Sequence, residues 1–321
     1  MEILEYLIYK FLIELKLNRL IKTINKFLLK VNIKKLKVIP KSEDIYITKI
    51  IDNNITINPL ISIIIPFKDK PELLVKCITS ILNSTYENFE IIAVNNNSNE
   101  KETFEEIEKL KCLDKRIKFI DYNVPFNFSR INNYAVKNFA KGEFLVFMNN
   151  DIELLTKRWI EEFLKYTNLE KVGIIGAKLY YPNDIIQHAG IVMLDKHGFS
   201  EHIGRFEKRD NKDKFYNTPR YVMANTAALI MVKKELFNKI NGFDENLAID
   251  YNDVDLSLKC LEKGYKNIWL PSVEAYHYES ISRGKNHSVE KLKRYEKERQ
   301  YLVSKHYDLI KDGDIYYKVI L

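Results

Sequence analysis

The side chains in this sequence that could do chemistry arrive at the ends of apolar runs. In KGEFLVFMNNDIE, residues 141–153, the run Phe144–Met148 is followed directly by Asn149, Asn150 and Asp151. A carboxylate delivered to a rim by a buried strand is a candidate for holding a hard divalent cation or, through it, a phosphate. The same letters also read as a strand followed by an Asn-rich turn. Lys68 and Asp69 close an earlier apolar run, and Asn95 to Ser98 close another. Asp250, Asp253 and Asp255 stand together in DYNDVDLSLKCLEKGY, where acids opening a helix are ordinary first-turn residues. His277, in the alternating stretch Glu274 to Tyr278, is a packed strand histidine or a ligand.

The elements that must position these residues follow a regular order. Residues 61–65, 89–94, 117–120 and 144–148 read as buried strands, the first stopped by Pro66, and 72–83, 100–112 and 128–140 as the helices between them. This βαβαβαβ order predicts a Rossmann-like, mostly parallel sheet flanked by helices, with a ligand rim at the strand ends. No GxGxxG follows the first strand and no GxxxxGK[ST] occurs, so a nucleotide here is held by side chains and a metal, not by a glycine-rich cradle. Further along, 159–166 reads as helix, 172–181 and 187–194 as strands, and 195–217 as a long polar loop of the kind that forms lids or binding loops. A strand over 227–232, a short helix over 234–238, the acidic helix closed by Gly264, strand pieces at 268–270 and 274–278, and a charged helix over 288–306 complete the chain.

Composition excludes several classes. The 321 residues are 46% hydrophobic, enough for a substantial core and far from disordered or fibrous chains. Cys77, Cys112 and Cys260 are odd in number and widely spaced, which argues against a disulfide framework and for core thiols in a reducing compartment. Of the formal charge of +7, residues 1–40 carry nine basic side chains against three acids, so the remaining body is near neutral and no nucleic-acid partner is expected. Residues 3–36 have helical apolar spacing with a basic polar face, interrupted too often for a membrane span and lacking a signal peptide's basic start. Two readings stay open for this arm: a helix lying on an anionic membrane surface, or a face packed on the body or on a second copy in a homodimer.

With these pieces assembled, the chain resembles a family-2 glycosyltransferase of the GT-A fold, of the bacterial branch associated with O-antigen, capsule and rhamnan assembly. The resemblance spans about residues 60–284 and rests on SIIIPFKDKPELLVKCITSIL, FEIIAVNNNS, PFNFSRINNYAV leading into KGEFLVFMNND, GAKLYYPNDIIQHAGIV, INGFDENLAIDYNDVDLSLKCLEKGY and AYHYESISRG. With the helical spacing of the N-terminal arm and the charged helix near the end, the expected organisation is a basic amphipathic helix and linker over 1–58, a GT-A domain over 59–286, which the resemblance implies, and a C-terminal helix and tail over 287–321. Within the GT-A domain, 59–151 would bind the nucleotide-sugar and 152–286 the acceptor.

The same resemblance implies roles. Asp151 matches the last position of the family's Asp-x-Asp motif and inherits the part of ligand to Mn²⁺ or Mg²⁺, with His277 matching a further ligand in several relatives. Asn149 replaces the first Asp and contributes no charge. Asp253 matches the catalytic base, with Asn252 before it and Asp255 as alternative or support. Pro66, Phe67, Asp69, Asn95, Asn97, Asn133, Asn149, Asn150 and Arg283 are the expected donor-binding residues, and Arg130 and Lys285 are further cations near phosphate. The implied activity is inverting transfer from a UDP- or dTDP-sugar to a surface polysaccharide or lipid-linked glycan acceptor. The expected location is the cytoplasm, at the inner face of the cell membrane if the arm binds there. The alternatives are a catalytically silent glycosyltransferase-like partner subunit and a sugar nucleotidyltransferase.

Overall fold

The computed structural model describes residues 37–48, 58–278 and 289–320. The expected helix over 3–36 and the residues Arg283 and Lys285 lie outside these. The chain runs through β1 (Lys37–Pro40), a 3₁₀ turn at Glu43–Ile45, β2 (Ile61–Phe67), α1 (Pro71–Leu82), β3 (Phe89–Asn95), α2 (Lys101–Leu113), β4 (Ile117–Asp121), α3 (Phe128–Asn138) and β5 (Phe144–Met148). Every residue of β2, β3 and β5 is buried, as strands covered by helices on both faces must be. Alternate side chains of β2 serve two cores. Ile61, Ile63 and Ile65 pack with Leu74 and Ile78 of α1, whereas Ile64 packs with Ile131 and Ala135 of α3. Each such aliphatic side chain contributes about 1.5–3 kcal/mol by leaving water.

β2, β3, β4 and β5 are parallel, with β3 and β4 on one side of β2 and β5 on the other. The order therefore reverses at β2, and a crevice opens at its carboxyl end between β2 and β5. Pro66 does not stop the strand as expected. The Ile61 N–H points to β3, donating to Asn88 O, so by alternation the nitrogen of Pro66 faces β5, whose pairing with β2 ends at Ile64↔Phe147. No ladder hydrogen bond is lost, and β2 continues beside β3 to Phe67.

The second half adds β6 (Ile152–Leu154), α4 (Trp159–Leu164), β7 (Val172–Tyr180), β8 (Ile186–His188), β9 (Ile191–Met193), β10 (Ser200–His202), β11 (Arg220–Val222), β12 (Leu229–Lys233), α5 (Lys234–Lys239), α6 (Asn252–Glu262), β13 (Lys266–His277), α7 (Val289–Ile310) and β14 (Tyr317–Ile320). β12 runs antiparallel to both β5 and β7 and so joins the two halves in one sheet of order β11-β13-β7-β12-β5-β2-β3-β4. The single strand expected over 187–194 is two, broken at Gly190, whose φ of +97° is outside what a side-chain-bearing residue readily adopts. The two strand pieces expected at 268–270 and 274–278 are one strand, with a register shift against β7 between Leu270 and Glu274 that absorbs Pro271. The polar segment 195–217 is built into the fold, with β10 pairing back on β9. β14 pairs with β1, so the end of the chain and residues 37–40 share a small sheet. Cys112 is exposed rather than a core thiol, whereas Cys77 and Cys260 are buried.

Gly142 occupies a point where three strands begin. Its N–H donates to Ser62 Oγ at 2.7 Å, and Ser62 in turn donates to the buried Glu90, which also accepts from Lys141 N and Lys118 Nζ. A Cβ on Gly142 would lie 2.5 Å from Ser62 N and 2.7 Å from Leu60 O, both backbone atoms. Gly142→Ala is expected to cost about 1–3 kcal/mol through this overpacking. In urea unfolding the midpoint should fall with an unchanged slope, and an unshifted midpoint would show that the strands part without cost.

Candidate active site

The site begins where β5 ends. Asn149 N donates to Ala228 O and Ile152 N to Asn149 O, so Asn149, Asn150 and Asp151 turn the chain from β5 into β6. β6 then pairs antiparallel with the end of β13, placing His277 opposite Ile152, and Tyr278 N donates to Asp151 O. The result is that His277 Nε2 lies 3.2 Å from Asp151 Oδ1 and 3.3 Å from Asn149 Nδ2, although 128 residues separate Asn149 from His277. Both Asp151 and His277 are buried.

The imidazole is oriented from behind. His277 Nδ1 lies 2.7 Å from Gln187 Oε1 on β8, and because a carbonyl oxygen only accepts, Nδ1 carries the proton. In the neutral ring Nε2 then turns its lone pair toward the Asp151 carboxylate. Two electron-rich atoms facing each other this closely are stabilised by a cation between them. Neighbouring ligands of an octahedral ion with bonds of about 2.1 Å lie about 3 Å apart, which matches the observed separation. The pair therefore fits a divalent metal, with Gln187 fixing the ligating tautomer. Among the described residues no group of three or more His, Cys, Asp or Glu side chains forms a metal site, so Asp151 and His277 would leave positions for ligand oxygens. Cys77 lies beneath the turn, 3.6 Å from Asn149 O, but burial and the nearby Asp151 push its thiol well above the usual range, so it is no thiolate ligand.

Asp253 comes from the first turn of α6. Tyr251 enters the helix in a left-handed conformation, with φ of +61°, and Asn252 Nδ2 donates to Ile249 O, closing the entry. The Asp253 carboxylate accepts from Ala227 N at 3.2 Å and from Val254 N at 2.8 Å, which fixes its rotamer; a carboxylate has further acceptor capacity beyond these two bonds. Asp255 points away from the cleft and is fully buried against His306 Nε2 at 2.9 Å, Lys305 Nζ at 2.6 Å and Lys259 Nζ at 3.1 Å. Burial pushes its carboxyl upward, but the His306 hydrogen bond and the two ammonium groups outweigh this and hold it below the ordinary carboxylate range. Asp255 thus anchors α6 to α7 and has no part in the cleft.

A cleft of about 360 Å³ collects Pro66, Phe67 and Lys68 from the end of β2, Asn149 to Asp151, His277, Asn252 and Asp253. Four of the residues expected at the donor site are not on its walls. Asp69 caps the start of α2 by accepting from Asn99 N and Glu100 N. Asn95 donates to Asp121 and accepts from Ser98 N, and Asn97 donates to Val124 O. Asn133 clamps the 241–245 turn through both the N–H and the carbonyl of Phe243. Arg130 pairs with Glu245 on the surface. Conversely, Gln187, His202 and Phe126 line the cleft without having been singled out. Gln187-His188 is a polar pair inside the otherwise apolar run IIQHAGIV, and that interruption is the signal that would have found it.

Residues 62–240, more than half of the chain, match the family model described as Glycosyl transferase family 2. An uncharacterized protein of Sinorhizobium fredii is 37% identical over 254 residues, covering 76% of this chain and 27% of that protein. The O-antigen biosynthesis protein RfbC of Myxococcus xanthus is 36% identical over 229 residues, covering 70% of this chain and 18% of that protein. The chain thus spans less than a third of the length of these two relatives. Among solved structures, that of GalNAc-T7 with UDP, GalNAc and Mn²⁺ superposes with a TM-score of 0.63 at 17% identity, covering 78% of this chain and 50% of that one. At that identity the likeness is one of fold.

Replacing Gln187 by Leu removes the acceptor that sets the His277 tautomer. Mn²⁺ affinity, measured by electron paramagnetic resonance titration, should weaken by about 10–100-fold with circular dichroism unchanged. Unaltered affinity would show that Gln187 does not orient a ligand.

Proposed function

The chain belongs to glycosyl transferase family 2, and on that premise we propose that its cleft transfers a sugar, with inversion, from a UDP- or dTDP-sugar to a growing surface polysaccharide or its lipid-linked precursor. The observation that carries this reading is that Asp253 and the Asp151–His277 pair line one cleft at the strand ends where a nucleotide is expected. The polysaccharide acceptor is supported by the O-antigen role in the name of the Myxococcus relative. A cytoplasmic enzyme at the inner membrane face suits a lipid-linked acceptor. Among the described residues no helix is long and apolar enough to cross a membrane.

In this mechanism Pro66 and Phe67 form the apolar wall for the base and ribose, and Asn149 and Asn150 offer amide groups to donor hydroxyls. Phe126, 46% exposed on the cleft wall, supplies a face for the base. Asp151 and His277 would hold a divalent cation, which when bound neutralises charge on the departing diphosphate. Asp253 accepts the proton of the acceptor hydroxyl as that oxygen bonds to the anomeric carbon and the carbon–oxygen bond to the diphosphate breaks, its electron pair leaving with the nucleotide. The backbone N–H groups of Ala227 and Val254 hold the carboxylate in one rotamer throughout.

Asp253→Asn should lower kcat by at least about a hundredfold while UDP binding in the presence of Mn²⁺ is retained. Wild-type turnover in that variant would remove Asp253 from the role of base. Chelation by EDTA should abolish transfer and added Mn²⁺ or Mg²⁺ restore it, whereas undiminished turnover in EDTA would rule out a metal held by Asp151 and His277. Failure to turn over or hydrolyse any nucleotide-sugar in a broad panel would favour a silent partner subunit, and release of pyrophosphate would favour a nucleotidyltransferase.

A further inference from the structure

A second cavity, of about 190 Å³, meets the cleft along a shared wall of Gln187, His202 and Asp253. Neither Asp151 nor His277 borders it, so it lies across Asp253 from the proposed metal pair. It is about half the volume of the cleft, on the scale of one ring and not of a chain of them. The lining is polar and asymmetric in charge. Glu201, Asp250 and Asp253 contribute three carboxylates against the one guanidinium of Arg205.

These side chains are held in place before any ligand arrives. Glu201 Oε1 accepts from His202 N at 2.8 Å and from Arg205 Nη1 at 3.3 Å. Asp250 is gripped by Arg294 of α7 through both Nε and Nη2 at 3.2 Å, and its own N–H donates to Glu298 at 2.7 Å. Tyr295, also on α7, closes the wall by pairing its hydroxyl with that of Tyr251 at 2.5 Å. Two of the wall-forming elements, α6 and α7, lie beyond the residues that match the family model. The pocket is thus walled jointly by residues 181–205, inside the matched segment, and by 250–254 and Tyr295 beyond it.

We propose that this second cavity seats one sugar residue of the acceptor and selects an uncharged or amino-bearing sugar over a uronic acid or a phosphorylated sugar. This rests on the glycosyl-transfer reading above. Preset carboxylates accept hydrogen bonds from sugar hydroxyls or an ammonium group, and a site built to do so rejects ligands that leave its polar groups unmatched. Glu201 and Asp250 are ion-paired with Arg205 and Arg294, so the three carboxylates and two guanidiniums leave one negative charge in excess beside Asp253, and an anionic sugar adds a second there. Like-charge juxtaposition is an effective means of rejection. Because Asp253 borders both cavities, a ring seated here lies beside the proposed base.

The test uses the full chain with Mn²⁺, a panel of UDP- and dTDP-sugars as donors, and matched aryl glucoside, glucosaminide and glucuronide, with their galacto counterparts, as acceptors. The wild-type protein should use the neutral or amino acceptors with kcat/KM at least tenfold above the uronides. Glu201→Gln and Asp250→Asn should shrink that ratio at least threefold, mainly through acceptor KM, while calorimetric titration with UDP reports the integrity of the donor side in the same preparations. Wild-type protein that uses uronides as well as neutral acceptors overturns the proposal. So does an unchanged ratio in both variants with UDP binding intact. If the wild-type protein binds no UDP and consumes no donor, the glycosyl-transfer reading itself fails and takes this proposal with it.

Discussion

The pairing of β6 with the last residues of β13 is the constraint on which the site depends. It is short, with only Leu154, Glu153 and Ile152 facing Ala275, Tyr276 and His277. Yet it converts two distant polar positions into neighbours and fixes which faces of them meet. Side chains alternate along a strand, so a slip of one residue would turn His277 out of the cleft and bring Tyr276 or Tyr278 in. The register is protected by what surrounds it. Thr156 donates to Ser272 O and accepts from Glu274 N just beyond the pairing, and Tyr278 N bonds Asp151 O at its other end.

A second constraint holds Asp253. Asp253 sits in the first turn of a helix whose other first-turn acid, Asp255, is fully buried among Lys259, Lys305 and His306. Lys305 also bonds Asp244 at 2.6 Å, and the Lys305 contact holds Asp244 down to about 2 despite its partial burial. The 241–245 turn, α6 and α7 are thus joined through one ammonium group. Removing one member of such a buried network costs about 3–5 kcal/mol because it strands the others. The cost of burying these charges is offset by geometry: two carboxylates two residues apart are assigned opposite directions, one to the cleft and one to the scaffold.

The two cavities and the metal-fitting pair give the site a direction. The cleft opens where β2 and β5 separate, Asp253 stands at the boundary between the cavities, and the polar pocket beyond is walled by α7. Gln187 touches both sides, bonding His277 behind the pair and lining the second cavity.

Much of this was legible in the sequence, for a definite reason. Buried parallel strands must be apolar along their whole length, so Phe144–Met148 and the strands before it stand out, and the polar residues that end them mark the rim. The motif register further singled out Asp151, Asp253 and His277, which the fold brings to one cleft. What pattern could not supply was how each polar side chain is spent. Asp69, Asn95, Asn97 and Asn133 have the composition of a binding site, but each spends hydrogen bonds on backbone groups of neighbouring turns, with Asn95 also donating to the Asp121 side chain, because a buried or strained loop must satisfy its own N–H and C=O groups first. Gln187 and His202 were passed over because their roles depend on contacts across the sheet and not on neighbours in sequence. The sequence by itself determined the order of strands and helices and the acids that could act, since these follow from local periodicity and residue chemistry. Only the tertiary structure decided which of those acids face the cleft, that an imidazole 126 residues from Asp151 lies beside it, and that a second, negatively lined cavity opens beyond Asp253. Those are long-range pairings, set by strand register and helix docking that no local window contains.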